Sequence, residues 1–143
     1  SYRMDIRPIT PRYAVSPQIA PTDLAALKAA GFTKVICNRP DAENPPAWQA
    51  EAMAVAAKAA GLEFVVLPLT HQTMTPEAVV RQAQEVESST GPVLAYCASG
   101  TRCTVIWALG AVATQSVDET LALAARAGYD LAGLRPRLEQ IAG

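Results

Sequence analysis

Apolar positions along the chain come in two rhythms. Val35-Ile36, Phe64-Val65-Val66-Leu67 and Val93-Leu94-Ala95 are short unbroken apolar runs. Strands covered on both faces read this way, as in parallel sheets. The runs predict strands over residues 34–37, 63–67 and 92–96, with two shorter candidates over 5–9 and 13–16 joined at Thr10-Pro11. The intervening stretches are Ala-rich or amphipathic. Gly31, Gly61 and Gly91 each end such a stretch and precede an apolar run, which is where a left-handed glycine closes a helix. Their regular spacing is about the length of one strand–helix unit. A first helix opens at Pro21-Thr22-Asp23 and runs to about Ala30. A second is expected from an Asn44 cap, with Pro45 and Pro46 in its first turn, to Ala60. A third starts at a Thr75 cap with Pro76 and Glu77 behind it, and carries Val79, Val80, Ala83 and Val86 on one face. Residues 104–114 read as a buried helix, and helices over about 117–127 and 131–142 finish the chain. Trp48, Tyr96 and Trp107 are expected in the core. The pattern predicts one α/β domain: a mostly parallel sheet of about five strands flanked by helices.

Composition narrows the classes. The chain has 143 residues, half of them hydrophobic and 17% charged, which excludes a disordered segment and gives one domain with a core of its own. Twelve Lys and Arg against 13 Asp and Glu leave a net charge of -1, without the basic excess of a nucleic-acid binder. No apolar run approaches the ~20 residues of a membrane span. Met4 reads as the natural start, so residues 1–4 are set apart from a domain over 5–143, and no signal-peptide core precedes it. Three cysteines and one histidine, His71, argue against a disulfide framework and for a reducing, cytoplasmic setting. The spacing of Cys97 and Cys103 is not that of a structural zinc hook, so neither a metal nor another cofactor is expected.

The segment with chemistry in it is Tyr96-Cys97-Ala98-Ser99-Gly100-Thr101-Arg102-Cys103. A buried strand ends at Cys97, a loop of small residues follows, and Arg102 stands just before a helix. Ligands of open α/β sheets bind at the carboxyl ends of strands, and a loop feeding a helix N-terminus there turns several N–H groups inward as an anion nest. Gly100 allows a positive φ and close approach of an anion. The same field lowers the pKa of a cysteine. Cys97 is therefore expected to be an ionised nucleophile, with Ala98, Ser99, Gly100, Thr101, Arg102 and Cys103 forming the anion loop and Arg102 binding an oxyanion edge-on.

The Cys97–Arg102 loop resembles the cysteine loop shared by rhodanese-type sulfurtransferases and cysteine-dependent phosphatases. The order Tyr13-Ala14-Val15-Ser16-Pro17-Gln18, then a helix, then Gly31-Phe32-Thr33-Lys34-Val35-Ile36-Cys37-Asn38-Arg39-Pro40-Asp41-Ala42-Glu43 resembles the dual-specificity phosphatase fold, most closely its bacterial DUF442 branch. That branch is a phosphatase-like domain found alone or attached to beta-lactamase-like hydrolases, which are linked to persulfide dioxygenases. The resemblance covers roughly residues 5–115 and implies a dual-specificity-phosphatase-like fold.

Two departures bear on the reaction. Phosphatases of this fold place five residues between Cys and Arg; here there are four, the loop size of sulfurtransferases. They also use an Asp as general acid, whereas no Asp lies between Asp41 and Asp118 and the equivalent stretch offers only His71. A general acid supplies roughly 10²–10⁴ of rate, which a sulfane-sulfur donor does not need. The sequence therefore points first to sulfur transfer through a Cys97 persulfide. The donor would be thiosulfate or a persulfide, the acceptor a thiol, and a persulfide dioxygenase-type protein a possible partner. The alternative is a phosphatase acting on a phosphate ester through phosphocysteine. A non-catalytic anion- or persulfide-binding module is the third reading. The resemblance also places Arg39, Asp41 and Glu43 beside the loop, with Arg39 on the substrate anion and one carboxylate fixing an arginine. It implies Cys37 as a redox partner of Cys97. Cys103 stands where the family has a Ser or Thr, with Thr104 as a partial substitute. Neither nucleic acid nor a membrane is expected as partner.

Overall fold

The computed structural model describes residues 4–143; the proposed extra residues 1–3 lie outside the described residues. Five strands, β1 (Arg7–Thr10), β2 (Tyr13–Ser16), β3 (Lys34–Cys37), β4 (Glu63–Val66) and β5 (Val93–Tyr96), form one sheet in the order β1-β2-β5-β3-β4. β1 runs antiparallel to β2 and the other pairings are parallel. The helices are α1 (Leu24–Ala29), α2 (Ala50–Ala60), α3 (Pro76–Glu87), α4 (Thr101–Ala111), α5 (Val117–Arg126) and α6 (Arg135–Ala142).

The sheet's two faces bury two apolar clusters, as the period-two alternation of a strand requires. Val35, Cys37, Leu94 and Tyr96 point toward Leu24, Leu27, Met53 and Ala57 of α1 and α2. Val15, Ile36, Val93 and Ala95 point the other way, toward Cys103, Ile106 and Leu109 of α4 and further residues of α5 and α6. β5 is central, so its four residues are buried, and its carboxyl end delivers Cys97 to the middle of one edge of the sheet. β4 is an edge strand, as β1 is, and Val66 is exposed rather than covered on both faces.

Other boundaries differ from the sequence expectations. α2 begins at Ala50, not near Asn44. Pro45 and Pro46 lead into a separate 3₁₀ turn over Pro46–Trp48, and the Asp41 carboxylate accepts the Ala50 N–H at 2.8 Å. Trp48, placed by that turn, is exposed and not core. Gly91 lacks the positive φ of Gly31 and Gly61; it is small because a side chain there would meet Thr33. The fully buried Lys34 ammonium is satisfied by the Glu85 carbonyl (2.7 Å) and carboxylate (2.9 Å), so its charge is paired as burial demands. Among the described residues no helix is long and apolar enough to cross a membrane, and no cluster of His, Cys, Asp and Glu is arranged to hold a metal.

Candidate active site

The chain leaves β5 at Tyr96, turns through Cys97, Ala98 and Ser99, and enters α4 at Thr101. Gly100 is the N-cap, with φ 91° and ψ -7°, a conformation that costs other residues about 1 kcal/mol or more. This left-handed step starts α4 earlier than residue 104, so Arg102 lies within the first turn and not ahead of it. It also aims the Gly100 N–H at Cys97 Sγ, 3.1 Å away.

The surroundings hold Cys97 far below the ordinary thiol range, at about 5. The Cys103 thiol is the largest influence, and the N–H groups of Cys103, Gly100 and Ser99 add to it against the cost of burial. These donors favour the charged form, as hydrogen bonds to an anion do. Cys103 itself is buried and held protonated well above its usual range, which keeps it a donor. Thr104 does not share this task; its hydroxyl donates to the Gly100 carbonyl at 2.8 Å. Cys97 is fully buried and not open to solvent, with the Arg102 guanidinium alongside it.

Arg102 is held by long-range contacts. Its Nη1 and Nη2 donate to the two Glu43 oxygens, each at 2.7 Å, and Nη1 also reaches the Leu69 carbonyl at 2.9 Å. The fork geometry fits a bidentate carboxylate pair. Arg102 and, less strongly, Arg39 pull the Glu43 pKa down, so this carboxylate stays ionised. Arg39 donates to Glu43 (3.3 Å) and to Gln18 Oε1 (3.2 Å), and so braces the Glu43 carboxylate. Asp41, the other proposed arginine partner, caps α2 instead. Of the segment 39–43, only Glu43 meets Arg102.

Cys37 is not brought to Cys97. Its side chain belongs to the α1/α2 face while Cys97 belongs to the α4 face. It donates to the Arg39 carbonyl at 3.4 Å, and burial raises its pKa. Both thiols are free in this structure, and each is buried. His71 stands on the loop after β4, exposed, and borders a pocket of about 370 Å³ together with Glu43, Thr70, Gln72, Ser99, Thr101 and Arg102. A larger apolar groove of about 590 Å³ between α3, α4 and α6 contains none of these residues. Tyr129 was not evident from the sequence: its hydroxyl donates to the Ser99 carbonyl at 2.9 Å, and its only local signal is the preceding Gly128.

Residues 5–115 match the family described as beta-lactamase hydrolase-like protein, phosphatase-like domain. The chain belongs to this family. A beta-lactamase hydrolase-like protein of Agrobacterium fabrum is 32% identical over 102 residues, which are 71% of this chain and 24% of that protein; the chain thus spans about a quarter of that relative's length. A crystal structure from Neisseria meningitidis, described as a putative phosphatase, is 30% identical with TM-score 0.86, covering 97% of this chain and 99% of the other. P. aeruginosa TpbA, solved as a cysteine-to-serine variant in complex with pTyr, is 18% identical with TM-score 0.59 over 94% of this chain and 90% of its own; at that identity the likeness is one of fold. The fold is thus that of the cysteine-dependent phosphatases. These likenesses favour the phosphatase alternative, and none of them supports sulfur transfer.

Proposed function

We propose that the chain is an enzyme hydrolysing phosphoric monoesters through a phosphocysteine on Cys97. The observation that carries this is the ionised Cys97 at the N-terminus of α4, set in a domain of the phosphatase-like family. The pTyr held by the fold relative TpbA is consistent with a phosphate ester as ligand. In the first step the Cys97 thiolate forms an S–P bond as the bond from phosphorus to the ester oxygen breaks. The loop N–H groups and the Arg102 guanidinium stabilise charge on the phosphoryl oxygens. The departing oxygen takes a proton, and His71 is the side chain of the pocket wall suited to give it. Glu43 is not, because two arginines keep it ionised. In the second step water attacks phosphorus, His71 takes back a proton, and inorganic phosphate leaves with Cys97 regenerated.

Sulfur transfer stays as the second reading because four residues, not five, separate Cys97 from Arg102. One experiment separates the two. Phosphate release from p-nitrophenyl phosphate and from an alkyl phosphate is measured beside thiocyanate formation from thiosulfate and cyanide, with Cys97→Ser and His71→Ala variants. Phosphate release abolished by Cys97→Ser, with the alkyl ester hit harder by His71→Ala, supports the proposal. Thiocyanate formation with a protein mass gain of one sulfur, and no phosphate release, replaces it with sulfur transfer.

A further inference from the structure

We infer that Tyr129 is a positioning residue for the Cys97 nucleophile, so that the helical segment after residue 115 completes the active site. The inference rests on Cys97 being the nucleophile, and on geometry that no family match over residues 5–115 covers.

The placement of Tyr129 is built locally. α5 ends in a left-handed Gly128 (φ 97°). The Gly128 N–H donates to the Ala125 carbonyl and the Tyr129 N–H to the Ala124 carbonyl, each at 2.9 Å. This paired closure of a helix end throws the next side chain back against the body of the protein. The Arg7 guanidinium lies 5.4 Å from the centre of the Tyr129 ring and donates to the Ala127 carbonyl at 3.0 Å, tying the turn to β1. A side chain at Gly128 would collide with that guanidinium.

The tyrosine so placed touches the loop at two points. Its hydroxyl donates to the Ser99 carbonyl at 2.9 Å, and a side chain at Gly100 would collide with the same hydroxyl. Burial pushes the phenol up to about 12, so it remains a donor at any working pH. The peptide whose carbonyl it grips is the Ser99–Gly100 link, whose N–H is the donor to Cys97 Sγ at 3.1 Å. A planar peptide cannot turn one end without the other. Holding the carbonyl outward therefore holds the N–H inward, on the thiolate.

The test is iodoacetamide alkylation of Cys97 against pH in the full chain, for wild type, Tyr129→Phe and Ser116→Ala. The phenylalanine keeps the ring in the core and removes only the hydroxyl. Ser116 caps α5 by accepting the Glu119 N–H, so its loss loosens the same segment without touching the loop. The expected result is that Tyr129→Phe raises the alkylation midpoint by about one pH unit, the size of one weakened charge-assisted hydrogen bond, while Ser116→Ala leaves it in place. An unchanged midpoint in Tyr129→Phe overturns the inference, as does an equal rise in Ser116→Ala, which would mark general loosening. No substrate enters the assay, so its outcome is separate from the choice of reaction. A wild-type midpoint at the ordinary thiol value would instead sink the proposed active site itself.

Discussion

Replacing Cys103 by Ala removes the donor that contributes most to the low pKa of Cys97. The thiol falls from an ordinary 9.0 to about 5, which at about 1.4 kcal/mol per pH unit corresponds to roughly 5 kcal/mol favouring the thiolate. That stabilisation is divided among the Cys103 thiol and three N–H groups, and it is reduced by burial. A hydrogen bond to a charged group is worth about 1.5–3 kcal/mol, and a thiol is a weak donor. Taking about 1.5 kcal/mol, the variant should carry a Cys97 pKa of roughly 6. Alkylation rate against pH reads this once the signal of a Cys97→Ser blank is subtracted, because Cys37 and Cys103 have raised pKa values and do not ionise in the range where Cys97 does. Cys103→Ser supplies a stronger donor and should keep the midpoint near that of wild type. An alanine variant still titrating at about 5 would refute the assignment of Cys103 as the main stabiliser and leave the helix N-terminus alone to explain the ionisation.

Three further outcomes follow from the same contacts. Because the folded pKa of Cys97 is depressed, the unfolded chain binds more protons between about pH 5 and 9. Stability from this group is then complete above pH 9 and is lost as pH falls through 5. Urea denaturation should find wild type gaining about 2 kcal/mol over Cys97→Ser between about pH 5 and pH 7; a difference that does not change with pH contradicts the low pKa. Glu43→Gln leaves Arg102 without its bidentate partner and should lower kcat/KM for an aryl phosphate about 10–100-fold by misplacing the guanidinium, mainly through KM; steady-state kinetics within about threefold of wild type would show that Glu43 does not position it. Glu85→Gln removes the closer carboxylate from the buried Lys34. It should cost about 2 kcal/mol in urea unfolding, less than a fully orphaned charge because Glu63 stays within 3.5 Å; a cost under about 0.5 kcal/mol would mean that the buried ammonium finds other partners.

The parts of the site that were legible in the sequence are those fixed by neighbours along the chain. The apolar run ending at Tyr96, the small residues and Gly100 together dictate a strand, a left-handed step and a helix N-terminus, and the low pKa of Cys97 follows from that local geometry. What keeps the loop and its arginine in place was legible only in part: a carboxylate of segment 39–43 was expected on an arginine, but not which one, and Tyr129 was not foreseen. Glu43 and Arg102 are 59 residues apart, Tyr129 and Ser99 are 30 apart, and each pair depends on the reach of a side chain from a different element. The segment 39–43 illustrates the difference. Its position beside the loop follows from β3 lying next to β5, but which carboxylate takes Arg102 was decided when the 3₁₀ turn at Pro46–Trp48 moved the start of α2 to Ala50 and drew Asp41 onto its first N–H. Cys37 and Cys97 pack into different clusters for a related reason, since one residue of register along a strand reverses the face a side chain occupies. Loop size likewise constrains the anion that fits over Cys97 but says nothing about the proton the leaving group needs. In the proposed mechanism that proton is supplied by His71, which borders the pocket from the loop after β4. The loop and the wall are separate parts of the chain, so a Cys-x₄-Arg spacing does not by itself exclude phosphoryl transfer.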